Sequence, residues 1–294
     1  MTDRPGPLAR VERAALRGLG EFVGVLAWLL RVRRRVVLAN LRLAFPQLSE
    51  RERRRIGKKC YVNLGRMAPE FLLAPRLTTA EIDRFFDYDG FDRLEAERAR
   101  GRGVIVCTGH FGHFEMLAAV HALKGIPITM ITRPMGRSRL NDLWRGTRAR
   151  AGVEDLIARK GETLKAARRA LAAGRVLGYV IDQNQPARRA IFPRFFGVPA
   201  ATSATPAVLA LRTGTPVFFA VALPLDGGRH RVVIEGPLAV PTSGRRDEDV
   251  LAFTQDLNDR LERWVRAYPE QWYWLHRRWK TRPSGEGGRG GGAA

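Results

Sequence analysis

A histidine and a carboxylate stand five positions apart in Gly109-His110-Phe111-Gly112-His113-Phe114-Glu115, directly behind the apolar run Val104-Ile105-Val106-Cys107. Activating a hydroxyl needs such a pair: a base of near-neutral pKa and a carboxylate that orients it and answers its charge. His110 is therefore the candidate base and Glu115 the candidate partner of its imidazole. Gly109 and Gly112 suit a tight strand-to-helix turn whose backbone amides would stabilise an oxyanion. The segment lacks the Gly-x-Ser-x-Gly elbow, which argues against a serine-bound intermediate. His113 sits where it would either touch a substrate or pack structurally. Further on, Arg133, Arg137, Arg139, Arg145 and Arg148 form a basic tract, and guanidinium groups recognise phosphate bidentately. Cys107, His110 and His113 lack a further ligand cluster, so no metal is expected.

These groups need a scaffold. Val104–Thr108 reads as a central strand by its continuous apolarity, with Gly112–Leu123 as the helix after it. Further strands are expected over 126–131, 176–181, 216–223 and 231–235, the last two joined by Asp226-Gly227-Gly228. Val176–Ile181 delivers Asp182-Gln183 to the edge of the sheet where open α/β folds place their chemistry. Helices are expected over 50–74, with a Ser49/Glu52 capping box and Pro75 ending it, over most of 79–97, and over 139–151, 162–173, 205–212 and 247–268. The alternation describes an α/β domain with a mixed central sheet flanked by helices. Gly101-Arg102-Gly103 precedes its strand, so it is no dinucleotide fingerprint. Phe195 and Phe196, with Phe192 and Gly197-Val198-Pro199, offer an apolar slot.

The 294 residues are 45% hydrophobic and carry a formal net charge of +22 at pH 7. That excess favours anionic partners: phospholipid, phosphorylated glycolipid, an acidic carrier protein or nucleic acid. Residues 14–30 are apolar but interrupted by Arg17 and Glu21, and Arg31, Arg33, Arg34 and Arg35 follow. This pattern suits a helix lying in a membrane interface with arginines against anionic headgroups; a single span is the other option. No cleavable signal peptide is evident. Two cysteines give no disulfide framework. The expected organisation is a membrane-interacting segment over 1–35, one catalytic domain over 36–283, and a glycine-rich, disordered tail over 284–294.

Several motifs appear in a familiar order: Asn40-Leu41-Arg42-Leu43-Ala44-Phe45-Pro46, Asn63-Leu64-Gly65-Arg66, Gly101-Arg102-Gly103-Val104-Ile105, Asp182-Gln183, Phe195-Phe196-Gly197-Val198-Pro199-Ala200 and Pro269-Glu270-Gln271-Trp272-Tyr273-Trp274, running into Arg277-Arg278-Trp279-Lys280. With His110 and Glu115 as His-x-x-x-x-Glu, the chain resembles the bacterial lipid A biosynthesis acyltransferases, within the lysophospholipid acyltransferase superfamily. His113-Phe114 departs from the residues usual there. The resemblance implies a glycerolipid-acyltransferase-like domain. It also implies acyl transfer from acyl carrier protein thioester to a hydroxyl of a lipid A precursor, without a covalent acyl-enzyme or cofactor. Arg148 and Asp182 then become substrate-site residues, joined by Arg133, Arg139 and His113, while Phe195 and Phe196 would line the acyl pocket. Trp272, Trp274 and Trp279 would form an interfacial belt. A monomer on the cytoplasmic face of the inner membrane is expected. The alternative acceptor is a lysophospholipid or another amphiphile; nucleic-acid binding lacks a recognition module.

Overall fold

The computed structural model describes residues 7–132, 138–157 and 162–283. Arg133, Arg137 and the glycine-rich tail lie outside them. Along the chain run α1 (Pro7–Leu29), α2 (Arg34–Ala44), α3 (Glu50–Leu73), α4 (Thr79–Phe85), β1 (Phe86–Asp89), α5 (Phe91–Ala99), β2 (Val104–Thr108) and α6 (Phe114–Leu123). Then come β3 (Ile128–Thr132), α7 (Arg139–Arg150), β4 (Glu154–Ile157), α8 (Thr163–Ala172) and β5 (Val176–Val180). Four two-residue strands follow: β6 (Ala190–Ile191), β7 (Arg194–Phe195), β8 (Val198–Pro199) and β9 (Thr202–Ser203). The chain continues through α9 (Thr205–Thr213), β10 (Val217–Pro224), β11 (His230–Glu235) and α10 (Arg246–Ala267).

Seven strands form one mixed sheet in the order β1-β11-β10-β2-β5-β3-β4. From β10 to β4 all neighbours are parallel, whereas β11 is antiparallel to β10 and carries β1 parallel to itself. Both faces are covered, which explains the continuous apolarity of the central strands. Along β10, Val217, Phe219 and Val221 join a core with α2, α8, α9 and α10, while Phe218, Ala220 and Ala222 join a second core with α4, α5 and α6. The expected long helix over 79–97 is broken further than the sequence suggested. Phe86–Asp89 is an edge strand, its Phe86 buried and stacked on His230 at 4.6 Å. Tertiary pairing with β11 overrides local helical propensity there. The capping box does start α3: the Ser49 hydroxyl accepts from the Glu52 amide, and the Glu52 carboxylate accepts from the Ser49 amide.

The N-terminal helix is packed on the body. Gly20 and Gly24 of α1 lie directly against the α3 backbone at Gly65 and Tyr61, so close that a Cβ at any of these glycines would collide with a carbonyl. Trp28 then packs edge-on against Tyr61 at 5.4 Å, and the Tyr61 hydroxyl donates to the Val32 carbonyl. The opposite face of α1 leaves Leu19, Phe22, Val23, Leu26 and Leu29 exposed, continuing into Leu30 and Val32. Among the described residues no helix is long and apolar enough to cross a membrane. Monomeric proteins seldom leave contiguous apolar surface bare unless it meets a partner or a bilayer.

Replacing Gly24 by Val should force α1 away from α3 and cost about 1–3 kcal/mol, the usual range for overpacking. Urea denaturation checks the loss, and limited proteolysis should show α1 as the first segment cut. Gly18→Ala, at a helical position with open space around it, should lose no stability and gain up to about 1 kcal/mol by helix propensity, with no earlier cutting of α1.

Candidate active site

β2 and β5 are paired in parallel with Thr108 opposite Val180, and the Ile181 amide donates to the Thr108 carbonyl. Two residues beyond each of these positions stand His110 and Asp182, so the register alone brings them together. His110 Nδ1 lies 2.6 Å from Asp182 Oδ1, and the His110 backbone amide donates to Oδ2 at 2.9 Å. Trp272 Nε1 donates to the same Oδ2 at 2.7 Å. The approach is tight: a Cβ on Gly109 would fall 2.6 Å from Leu261 Cδ1 and 3.2 Å from Asp182 Oδ2, so any larger residue before the histidine requires Leu261 to move. Burial alone would raise the Asp182 carboxyl, but His110 and then His276 hold it well below the usual carboxylate range. Asp182 is thus an ionised acceptor, which fixes the His110 proton on Nδ1 and leaves Nε2 as a lone-pair base. Nε2 has the Gln183 side-chain amide at 3.3 Å, and the imidazole retains partial exposure. His276 Nε2 lies 2.9 Å from the Asp182 carbonyl, and the Tyr273 amide donates to the His110 carbonyl at 2.9 Å.

This arrangement corrects the expectation for Glu115. Its carboxylate is occupied by another partner: Arg148 donates from Nε to Oε2 at 2.8 Å and from Nη2 to Oε1 at 2.5 Å, while Trp144 Nε1 donates to Oε1 at 2.8 Å. Arg148 Nη1 completes the cluster with Asp155 Oδ1 at 3.1 Å. Glu115 and Arg148 are both buried. Burial would lower the Arg148 pKa, but Glu115 and Asp155 more than offset it. The two residues expected to meet substrate and base instead rivet α6 to α7 and β4, because a guanidinium this deep must be spent on carboxylates. The oxyanion expectation changes too. The amides of His110, Gly112 and His113 already donate to Asp182, the Gln271 carbonyl and the Ala222 carbonyl. The Gln183 amide is the side-chain donor nearest Nε2.

The remaining expected residues disperse. Arg139 is exposed on the first turn of α7. His113 is buried away from His110's partners, with Nδ1 3.2 Å from Glu70 Oε2; His230 Nε2 is 3.7 Å from the same oxygen. These three could offer ligand atoms within 4.8 Å of one another. However, the Arg17 guanidinium, 3.8 Å from Glu70 Oε1, disfavours a cation there. Phe195 and Phe196 are buried in an aromatic core with Trp272, Trp274 and Trp279, not in an open slot. The three tryptophans are likewise core rather than an interfacial belt. Arg278 lies fully buried beside them, donating to the Ala201 carbonyl at 2.8 Å and Thr202 Oγ1 at 2.6 Å. Of the residues that build the site, Gln183 and Trp272 both lay in recognised motifs, Trp272 with a different expected role, while His276 carried no sequence signal and enters only through tertiary contact.

The scaffold is a mixed α/β sheet flanked by helices, with a histidine–aspartate pair held at the ends of two parallel strands. The chain belongs to the family of bacterial lipid A biosynthesis acyltransferases, whose model matches residues 8–281. It is similar to the lipid A biosynthesis lauroyltransferase of Escherichia coli (strain K12), 29% identical over 270 residues that cover 91% of this chain and 86% of the relative. It is similar to the palmitoleoyltransferase of the same strain, 28% identical with the same coverage. A phosphatidylinositol mannoside acyltransferase of Mycobacterium tuberculosis is 27% identical over 222 residues, 73% of this chain and 67% of that protein.

Arg148→Ala and Glu115→Ala should each cost about 3–5 kcal/mol of stability, because each leaves a buried charge unpaired. A double-mutant cycle by urea denaturation should find the two strongly coupled, whereas Arg139→Ala, at an exposed position on the first turn of α7, should unfold close to wild type. A second expectation concerns Glu70, whose carboxyl burial pushes up to about 7 from 4.5. A raised carboxyl pKa means that the folded state holds the proton longer than the unfolded chain. Stability from this group is full below about pH 4.5 and is lost as pH rises toward 7, by roughly 3 kcal/mol. Glu70→Gln should therefore gain stability relative to wild type between pH 5 and pH 8, as read by paired thermal melts.

Proposed function

We propose that this enzyme transfers a fatty acyl chain from an acyl carrier protein thioester to a hydroxyl of a lipid A precursor, with His110 as general base and Asp182, rather than Glu115, as the group that orients it. The observation that carries this reading is the 2.6 Å contact between His110 Nδ1 and Asp182 Oδ1 at the ends of two register-matched strands. The acceptor hydroxyl gives its proton to Nε2 as its oxygen attacks the thioester carbonyl. The tetrahedral intermediate collapses, the carbon–sulfur bond breaks, and the leaving thiolate takes the proton back from the imidazolium. Asp182 stays ionised throughout and stabilises that imidazolium. The Gln183 amide stands where it can donate to the developing oxyanion.

Phe114 lies 4.8 Å from the His110 ring and offers it an apolar neighbour. The bare apolar stripe of α1, with exposed Arg31, Arg33 and Arg35 beyond it, suits a peripheral seat on the cytoplasmic face of the inner membrane. The similarity to a phosphatidylinositol mannoside acyltransferase keeps a second reading open, in which the acceptor is another amphiphile.

Mass spectrometry of reactions containing acyl carrier protein thioesters and either a lipid A precursor or a lysophospholipid tests the proposal. An acylated lipid A precursor is the expected product. His110→Ala and Asp182→Asn should each lower kcat by about 10²–10⁴-fold. Product on the lysophospholipid alone would overturn the acceptor, and an undiminished Asp182→Asn would overturn the assignment of Asp182.

A further inference from the structure

A cavity of about 530 Å³ opens between α1, α3, the turn joining β10 to β11, and the segment after α10. Its walls carry Arg17, Arg55, Lys58, Lys59 and Arg66, against the two carboxylates Asp226 and Glu270. Arg55, Lys58, Lys59 and Arg66 recur along one face of α3, at a spacing that stacks side chains turn upon turn. Arg66 is met by Glu21 at 2.7 Å, and Arg17 stands 3.8 Å from Glu21 and Glu70. Arg55, Lys58 and Lys59 are exposed, and the described residues supply them no carboxylate. Like charges three and four positions apart destabilise a helix, so a ligand that neutralised them would be held firmly. His113, buried, also lines the cavity, with its Nδ1 turned to Glu70 Oε2 at 3.2 Å.

From this we infer that the cavity binds a phosphate monoester on the sugar headgroup of the acceptor, with Lys58 and Lys59 as its principal cations. This rests on the proposed function. The site is close to the chemistry. His113 is three residues from His110, a stretch of at most about 10 Å, and the two flanking amide bonds, Gly112 to the Gln271 carbonyl and Tyr273 to the His110 carbonyl, tie both regions to one segment. One headgroup can therefore place a phosphate in the cavity and a hydroxyl at His110. The same helix that contributes Arg17 presents the bare apolar stripe on its outer side, as an amphiphile with lipid tails requires. The compact recess suits a phosphosugar better than a helix of an acidic protein, which would need a long open groove.

The test uses the full-length enzyme and the double variant Lys58→Gln/Lys59→Gln, with Arg54→Gln as a charge control. Acyl transfer is followed with the phosphorylated acceptor and with the same acceptor after phosphatase treatment. We expect the double variant to raise KM for the phosphorylated acceptor at least tenfold, with kcat within twofold and KM for the dephosphorylated acceptor unchanged. An unchanged KM, or an equal rise for both acceptors, would overturn the inference. So would a rise confined to the thioester donor, which would assign these lysines to the acidic carrier. Calorimetric titration at low ionic strength with glucose 1-phosphate and with glucose needs no turnover. Binding of the phosphate alone, lost in the double variant, supports the site even if lipid A precursors prove not to be acylated, in which case only the proposed function fails. Absence of glucose 1-phosphate binding to the wild type would overturn the site while leaving that function standing.

Discussion

The parallel pairing of β2 with β5 is the constraint that the site depends on. Backbone hydrogen bonds place Thr108 beside Val180, and continuing each strand by two residues leaves His110 and Asp182 nowhere to go but against each other. Everything nearby either enforces that meeting or profits from it. Gly109 admits the approach, Trp272 takes the second carboxylate oxygen, and the amide of His110 secures the carboxylate a second time. A carboxylate that accepts three hydrogen bonds inside a protein remains ionised despite burial, since the gain from its donors exceeds the cost of desolvation. The histidine then has one tautomer available, and the free nitrogen faces the open side.

Two buried acid–base pairs divide the labour between chemistry and architecture. His110 with Asp182 retains a partly exposed edge, and its Nε2 lone pair is met only by the long 3.3 Å contact from the Gln183 amide, so it can exchange a proton. Glu115 with Arg148 and Asp155 spends its hydrogen-bonding capacity internally, so it can only hold α6 in place. The two functions are linked through the chain: α6 begins four residues after His110, and its first turn carries Glu115. Fixing that turn fixes the loop that presents the base. Glu115 and Arg148 are in this sense positioning residues, and their sequence spacing from the histidine reflects the geometry of a strand-to-helix connection rather than contact with the imidazole.

Much of this architecture was legible in the residues. The central strands announced themselves by unbroken apolarity, α3 by its capping box, and both His110 and Asp182 by their places at strand ends. Which carboxylate would meet the imidazole was not legible, because that choice depends on strand order. Nothing local states that β5, rather than the helix following β2, supplies the nearest neighbour of His110. The same holds for Phe195, Phe196 and the C-terminal tryptophans. Aromatic residues with arginines between them read equally as a membrane belt or as a core, and only the burial of Arg278 under Phe195 decides for the core. Phe86–Asp89 was missed because a short edge strand beside a helical pattern carries no periodicity of its own.

The N-terminal helix combines close packing on one side with exposed hydrocarbon on the other. Glycines at the α1–α3 crossing let the two backbones touch, which secures α1 without using its large apolar side chains. Those side chains are thereby left free to face outward, where Leu19, Phe22 and Leu26 stay exposed. Had α1 been bound through leucines, as in an ordinary helical bundle, the same stripe would be consumed in packing. Close glycine packing on one side and bare hydrocarbon on the other thus follow from one choice of residues. That choice leaves a bare apolar stripe on one side of α1 and, on the other, Arg17 beside the cation-lined cavity of α3 that His113 also lines.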